Sequence, residues 1–300
     1  MSPRAARSAA QPLFTVLFLL PGLLLFITFI AGPLLYSFRI SFFDWKIVNP
    51  ALSDWVGLEN YNRALNDPIF LRAALNTLVY ALITVPGQIA LGLVVAVLLN
   101  QDIRAKAFFR VLYYLPVITS WVIVSLLFEY MFSGQAGLVN YLLRDVLHLI
   151  SKNILWLADP ILAFVPIHML GIWKGVGWTA VILLAGLQAV PQTLHEAAEV
   201  DGAGPAQQFF HITLPLLRPT LVFLVVVLTI GSLNAYISNL LITNGGDPLD
   251  QTHFILTLMY EATFGRLDFG YGSAISYLLT AFVFTISVVQ LRLLRREVDF

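Results

Sequence analysis

The chain reads as long apolar runs separated by short polar ones. Six runs reach the roughly 20 residues that a membrane-crossing helix needs: 13–37, 75–99, 111–132, 161–188, 220–243 and 272–293. None alternates with period two as a barrel strand does. Backbone groups in lipid must be satisfied within their own segment, so helices are the expected form. The first run follows Arg4 and Arg7 as a signal peptide's core would. Its apolar stretch exceeds the roughly 7–15 residues of a cleaved core, so it is predicted to remain as an anchor. Asn66-Asp67-Pro68 and Ala158-Asp159-Pro160 read as turns that open the helices behind them. Asn244-Gly245-Gly246 reads as a left-handed stop to the fifth run. With no internal repeat or low-complexity tract, one membrane domain accounts for the chain.

Polar residues inside the runs fall in stripes. Asn76, Tyr80, Thr84 and Gln88 recur every four residues on the second run and so share a face. Thr229, Ser232, Tyr236, Asn239 and Thr243 do the same on the fifth, as do Ser273, Ser276 and Thr280 on the sixth. Together they suggest an interior seam of hydroxyls and amides. Interhelical hydrogen bonding and close packing produce the same pattern without any solute, and on the stripes alone packing is the favoured reading.

Composition agrees with the pattern: 59% hydrophobic, 11% charged, and a mean hydropathy of +0.83. Soluble chains run at about 25% charged, so an ordinary soluble domain is excluded. With no cysteine, no disulfide framework or thiolate site is available. Lys plus Arg equals Asp plus Glu, at 17 each, so net charge points to no acidic or basic partner.

Charge placement sets the expected direction. Arg4 and Arg7 precede the first run, and Arg104, Lys106 and Arg110 against Asp102 lie between the second and third. Arg292, Arg295 and Arg296 end the chain. Placing these inside obeys the positive-inside rule and puts both termini in the cytoplasm. Most acids, including Asp44, Asp54, Asp145, Asp247, Asp250 and Glu261, then lie outside, although Arg39, Lys46, Arg63, Arg144 and Arg266 join them.

Within the runs charge is nearly absent. Lys174 and Glu129 are functional candidates by default, although Lys174 has the alternatives of snorkelling outward or pairing with Glu129. His168 is a lone embedded histidine, more often a packing residue than a proton relay. No His, Asp and Glu cluster stands at metal-ligand spacing, and no Ser-His-acid set or carboxylate pair can be nominated. Gly171-Ile-Trp-Lys-Gly175 is not a phosphate loop. The chain is therefore expected not to be an enzyme, to hold no metal or cofactor, and not to hydrolyse ATP alone.

One segment differs from the rest. Residues 190–219 hold a helix-prone stretch, 192–200, stopped by Gly202 and Gly204-Pro205, with a second short helix expected from 206. Ala197 and Ala198 present no bulk to hold a partner away, while Glu196, Glu199 and Asp201 supply polar handles. A solvated hairpin of no consequence has equal weight from the physics alone.

The run Glu196-Ala197-Ala198, Gly202, and then Ile212-Thr213-Leu214-Pro215 resembles the EAA motif of permease subunits of bacterial ABC importers. Asp201-Gly202-Ala203 and Phe209 strengthen the likeness. Gly57-Leu58-Glu59-Asn60-Tyr61, Asn76-Thr77, Tyr114-Leu115-Pro116, Thr243-Asn244-Gly245-Gly246 and Phe269-Gly270-Tyr271-Gly272 resemble the carbohydrate-uptake class, especially its maltose-permease-F-like or glycerol-phosphate-permease-A-like half.

This resemblance implies an all-α polytopic membrane protein of six transmembrane helices, with the type I ABC importer permease (MetI-like) fold. Its implied organisation is cytoplasmic tails at 1–12 and 294–300, a first helix over 13–37, an extracytoplasmic segment over 38–74, and a core over 75–293. It implies a bacterial or archaeal cytoplasmic (inner) membrane, a second permease subunit as heterodimer, a pair of ATP-binding subunits that use ATP and magnesium, an extracytoplasmic binding protein, and a sugar. Membrane lipid is an expected partner and nucleic acid is not. Coupling to the ATPase falls to Glu196, Ala197, Ala198, Asp201, Gly202, Ile212, Leu214 and Pro215. Carried from maltose-type permeases, the solute positions are Ile172, Gly175, Trp178, Gly231, Ser232 and Ala235. Ile172 and Ala235 depart from asparagines there. The pathway residues nominated are Gly175, Trp178, Ser232 and Tyr236, with Asn76 and Tyr80 behind them; plain packing is an even alternative for Trp178. The short 39–74 segment leaves a binding protein only small loops, such as 133–160 and 245–270. Two rivals are weighed: an ion-coupled secondary sugar transporter, expected to show broken helices or internal symmetry, neither of which the sequence displays, and a membrane enzyme acting on lipid-linked sugars, which needs an interfacial cluster of acids or histidines that the sequence lacks.

Overall fold

The computed structural model describes residues 3–101 and 104–294; Asp102, Arg295 and Arg296, counted above in the charge balance, lie outside them. Among the described residues, five helices are long and apolar enough to cross a membrane, or six if one sharply bent pair is a single span. Helix α1 (Thr15–Ile40) is regular except for a π turn at Ile27–Ala31, just ahead of Pro33. Proline lacks an N–H and crowds the preceding turn, which loosens the register there. A two-residue antiparallel pair follows, β1 (Phe43–Asp44) with β2 (Asp54–Trp55), a small departure from the all-helical expectation. Aromatic contact holds it: Phe42 and Phe43 lie 5.6 and 5.1 Å from the Trp55 ring.

Helix α2 (Glu59–Asn66) leads into α3 (Pro68–Asn100). Asp67 caps α3, its Oδ1 accepting from Ile69 N at 2.8 Å, with Pro68 in the first turn. The Asn-Asp-Pro turn thus opens the helix as predicted, so regular helix starts at residue 68 and not at 75.

The third predicted span is not one rod. Helices α4 (Lys106–Ile118) and α5 (Trp121–Met131) meet at an angle of 91°. Thr119 and Ser120 between them are extended, and Pro116 interrupts the ladder just before. Hydropathy carries no angular information, which is why 111–132 reads as a continuous run.

The connection to α6 (Phe164–Gln188) is organised by Asn140, only 1% exposed. Its Nδ2 donates to Ile154 O at 2.9 Å and Gly134 O at 3.2 Å, and its Oδ1 accepts from Ile154 N and Trp156 Nε1, both at 3.1 Å. Asn140→Ala strands these groups in a buried place, an expected loss of about 3 kcal/mol. A lower thermal unfolding midpoint and faster proteolysis within 133–160 would report it. Asp159 accepts from Ile161 N and Leu162 N, but regular helix begins at Phe164.

After α6 come α7 (Gln192–Val200) and a short helix at Pro205–Gln208. The fifth span is α8 (Arg218–Leu233) plus α9 (Ile237–Ile242), broken at 234–236. Asn244 and Gly245, at φ 49° and 87°, form the predicted left-handed stop. Helices α10 (Ile255–Tyr260) and α11 (Phe269–Leu294) complete the bundle.

Three apolar clusters hold it together. Val95, Leu99, Leu183, Leu187 and Leu217 join α3, α6 and the approach to α8. Phe70, Ile255, Leu258, Tyr271 and Ile275 join α3, α10 and α11. Tyr80, Ile167, Leu170, Ile242 and Phe254 fill the middle. Outer faces stay apolar, as lipid contact requires. Helix α1 is the extreme case: none of its most apolar window is buried.

Candidate functional site

The irregular stretch 234–236 and the residues flanking the 119–120 break, Val117 and Trp121, line a cleft of about 450 Å³. Non-helical backbone at membrane depth is tolerated where it is buried in protein or lines a polar cavity. The volume lies within the roughly 300–1,000 Å³ of small-molecule sites. Tyr80 and Gln88 of α3 form one wall, and Gly171, Lys174, Gly175 and Trp178 of α6 the second. Gly231 and Ser232 of α8, the broken segment through Tyr236, and Val117 and Trp121 at the bend close the rest. The walls are mainly neutral: hydroxyls, amides, indoles and bare backbone.

Helices α3 and α6 approach closely here because α6 is glycine-rich. A Cβ at Gly175 would stand 2.2 Å from the Gln88 amide, so no side chain fits at 175 without moving Gln88. Gln88 Nε2 donates across the gap to Gly171 O at 3.1 Å.

Lys174 neither snorkels nor pairs with Glu129. It is 4% exposed, and its Nζ donates to Thr119 O at 2.6 Å and Pro116 O at 2.9 Å. The ammonium also lies 4.9 Å from the Trp121 ring centroid. A cation set on the last carbonyls of α4 meets the negative end of that helix dipole. Lys174 therefore fastens the bend and at the same time edges the cleft.

Five of the six nominated pathway residues line this cleft: Gly175, Trp178, Ser232, Tyr236 and Tyr80. Asn76 does not. Its amide is spent on Gln251 O at 2.8 Å and His253 O at 3.0 Å. Of the remaining carried-over positions, Gly231 and Ala235 border the cleft, while Ile172 packs against Gly87 of α3. The second and fifth stripes meet, through Thr84 Oγ1 and Ser232 Oγ at 3.2 Å. The sixth stripe stays apart from that seam: Ser273 faces Ser37 of α1, and Ser276 and Thr280 bond back to their own helix. His168 is a packing residue, bonded to Phe164 O and resting near the Tyr80 ring.

The 190–219 segment leaves the bundle. No residue of α7 is buried, and Glu196, Ala197, Asp201 and Gly202 are exposed. Glu196, Glu199 and Asp201 form no ion pair among the described residues. Apolar Val200 at the end of α7 is 89% exposed. Gly202, at φ 83°, turns the chain back while Ala203 N donates to Ala198 O, closing α7 with the expected left-handed cap. His195 and Gln208 bond across the hairpin at 3.1 Å. Ile212 and Leu214 are half-buried beside buried Thr213, and Pro215 is exposed, so this end roots the hairpin in the bundle.

The sequence reading passed over Gln88 and Trp121. Gln88 stood on the polar stripe and its depth was the available signal; Trp121 reaches the cleft only because of the bend. It also expected no His and acid cluster, yet the fold brings Asp250, His253 and Glu261 together. Asp250 and His253 stand three residues apart, a common ligand spacing, but Glu261 lies eight residues further on, beyond α10.

Residues 63–298 match the family model described as binding-protein-dependent transport system inner membrane component. The chain is 35% identical over 286 residues to the sulfoquinovosyl glycerol transport system permease protein of Agrobacterium fabrum, covering 95% of this chain and 91% of that one. It is 33% identical over 283 residues to the trehalose/maltose transport system permease protein of Thermococcus litoralis, covering 94% of each. Its fold is similar to that in the crystal structure of a bacterial ABC transporter involved in the import of the acidic polysaccharide alginate, with a TM-score of 0.84 over 99% of this chain and all of the other, at 22% identity.

Proposed function

Because this chain belongs to the family of binding-protein-dependent transport system inner membrane components, we propose that it is a permease subunit of an ATP-driven sugar importer. It forms half of the translocation pathway in a multi-pass inner membrane complex, with six spans and both termini in the cytoplasm. A second permease subunit of different sequence supplies the facing wall. Two ATP-binding subunits, which carry ATP and magnesium, dock on α7, and an extracytoplasmic binding protein delivers the sugar to the opposite end. This chain itself is non-catalytic, and ATP is bound by its partners.

The observation that carries this reading is the cleft. Neutral polar groups and aromatic rings converge beside a sharp bend in one helix pair and a local break at 234–236 in another, which suits a ligand rich in hydroxyls with apolar ring faces. Glu196 to Gly202, exposed and unpaired, supplies the handle. ATP-driven closure of the docked subunits then biases the bundle between inward-open and outward-open states. The broken helices are also what an ion-coupled secondary transporter would have, so that feature no longer separates the two readings; family membership does.

Reconstitution tests the proposal. The complex purified with its partners should import sugar into liposomes only with ATP and the binding protein. Accumulation by the chain alone under an ion gradient would overturn it. Trp178→Ala is expected to raise KM for uptake about tenfold, equivalent to ~1.4 kcal/mol of lost ring contact, with ATPase activity in the absence of sugar unchanged.

A further inference from the structure

We propose that Asp250, His253 and Glu261 form a zinc site at the end of the bundle where the fifth span passes into α10. The inference concerns only this chain's residues and stands apart from the transport reading. His253 is 3% exposed, and its Nε2 faces two carboxylates, lying 3.3 Å from Glu261 Oε2 and 3.5 Å from Asp250 Oδ1. Charge-assisted N–H···O bonds run about 2.7–2.9 Å, so these distances are long for a proton shared with either acid. They match instead the edge of a zinc tetrahedron, about 3.4 Å for metal–ligand bonds near 2.1 Å. All three ligand atoms lie within 4.8 Å of one another.

Two further features bear on the choice between a metal and a shared proton. A neutral ring with its proton on Nε2 would donate to a carboxylate at about 2.7–3.2 Å, closer than either acid stands. One imidazole and two carboxylates make a donor set that suits zinc. The outer carboxylate oxygen of Glu261 is 3.4 Å from Arg266 Nε, the kind of second contact that orients a ligating acid. The surroundings fix the ligands from both sides: Asn76 of α3 holds His253 O, and Asn239 of α9 holds Thr252 O at 2.8 Å. Asp250 is exposed, which leaves a fourth position open to water. The ion would tie the 244–254 loop to the start of the helical segment beyond it.

The full chain, purified and stripped with chelator, is equilibrated with zinc chloride, and bound metal is measured by mass spectrometry after desalting. Cobalt(II) chloride, read by its visible ligand-field bands, reports the geometry. One zinc per chain and tetrahedral cobalt bands are expected, together with a higher unfolding temperature in zinc. His253→Gln should lose stoichiometric binding, and Arg266→Gln should weaken it about tenfold. Should His253→Gln fail to fold, Asp250→Asn, at an exposed position, decides by loss of the cobalt bands. Wild-type protein that takes up no stoichiometric zinc, or uptake that survives both His253→Gln and Asp250→Asn, overturns the site.

Discussion

Glu196→Lys and Gly202→Asp are each expected to reduce ATP-dependent uptake to background while the chain still inserts. Because α7 contributes nothing to the buried core, a change on its surface costs the fold little. Charge reversal at exposed Glu196 alters only what approaches from outside. Gly202 sits at φ 83° with open space where a Cβ would go. Asp tolerates that left-handed conformation better than most residues, at roughly 1 kcal/mol confined to the cap. The damage therefore falls on the surface a partner must cover, beside two alanines that let it come close. Uptake and ATPase rates in the same proteoliposomes check this: uptake lost, with hydrolysis no longer answering to loaded binding protein. Normal uptake in both variants would remove α7 as the point of coupling.

Lys174→Met is expected to lower the unfolding midpoint and to cut the maximal uptake rate at least tenfold. The ammonium serves the carbonyls of Pro116 and Thr119, and a thioether serves neither. Each hydrogen bond to a charged group contributes about 1.5–3 kcal/mol, partly offset because a buried charge is also removed. A net loss of about 2–3 kcal/mol follows, located at the 91° bend. Lys174→Gln keeps an amide donor and should recover part of both effects. If Lys174 instead served chiefly as a sugar ligand, KM would rise while the sugar-free unfolding midpoint stayed in place. Thermal unfolding without sugar, set beside uptake kinetics, separates the two.

Much of the bundle was legible because lipid simplifies the code. Run length marked the long apolar helices, and Asp67-Pro68 and Asn244-Gly245 marked a start and a stop that the fold uses. The polar stripes gave the faces of α3 and α8 that meet at Thr84 and Ser232. Geometry that depends on direction was not legible. The bend at Thr119-Ser120 leaves hydropathy unchanged, yet it brings Trp121 and Lys174 to the cleft and gives the amine a partner from another element. Asn76 shares its stripe with Tyr80, but it lies one turn nearer the end of the bundle, where the returning 251–253 backbone takes its amide. The Asp250, His253 and Glu261 grouping depends on how the loop folds over α10, which no local spacing encodes.

Helix α1 meets α11 near one end, through Ser37 with Ser273, Phe38 with Tyr277, and the Tyr277 hydroxyl on Leu34 O. Below that collar its leucines and phenylalanines look outward on every side. Such a rod contributes no residue to the cleft and leaves its lining to the other helices. Shuffling aliphatic residues between 16 and 30 should leave unfolding and uptake nearly unchanged, whereas a single arginine midway would disturb insertion itself.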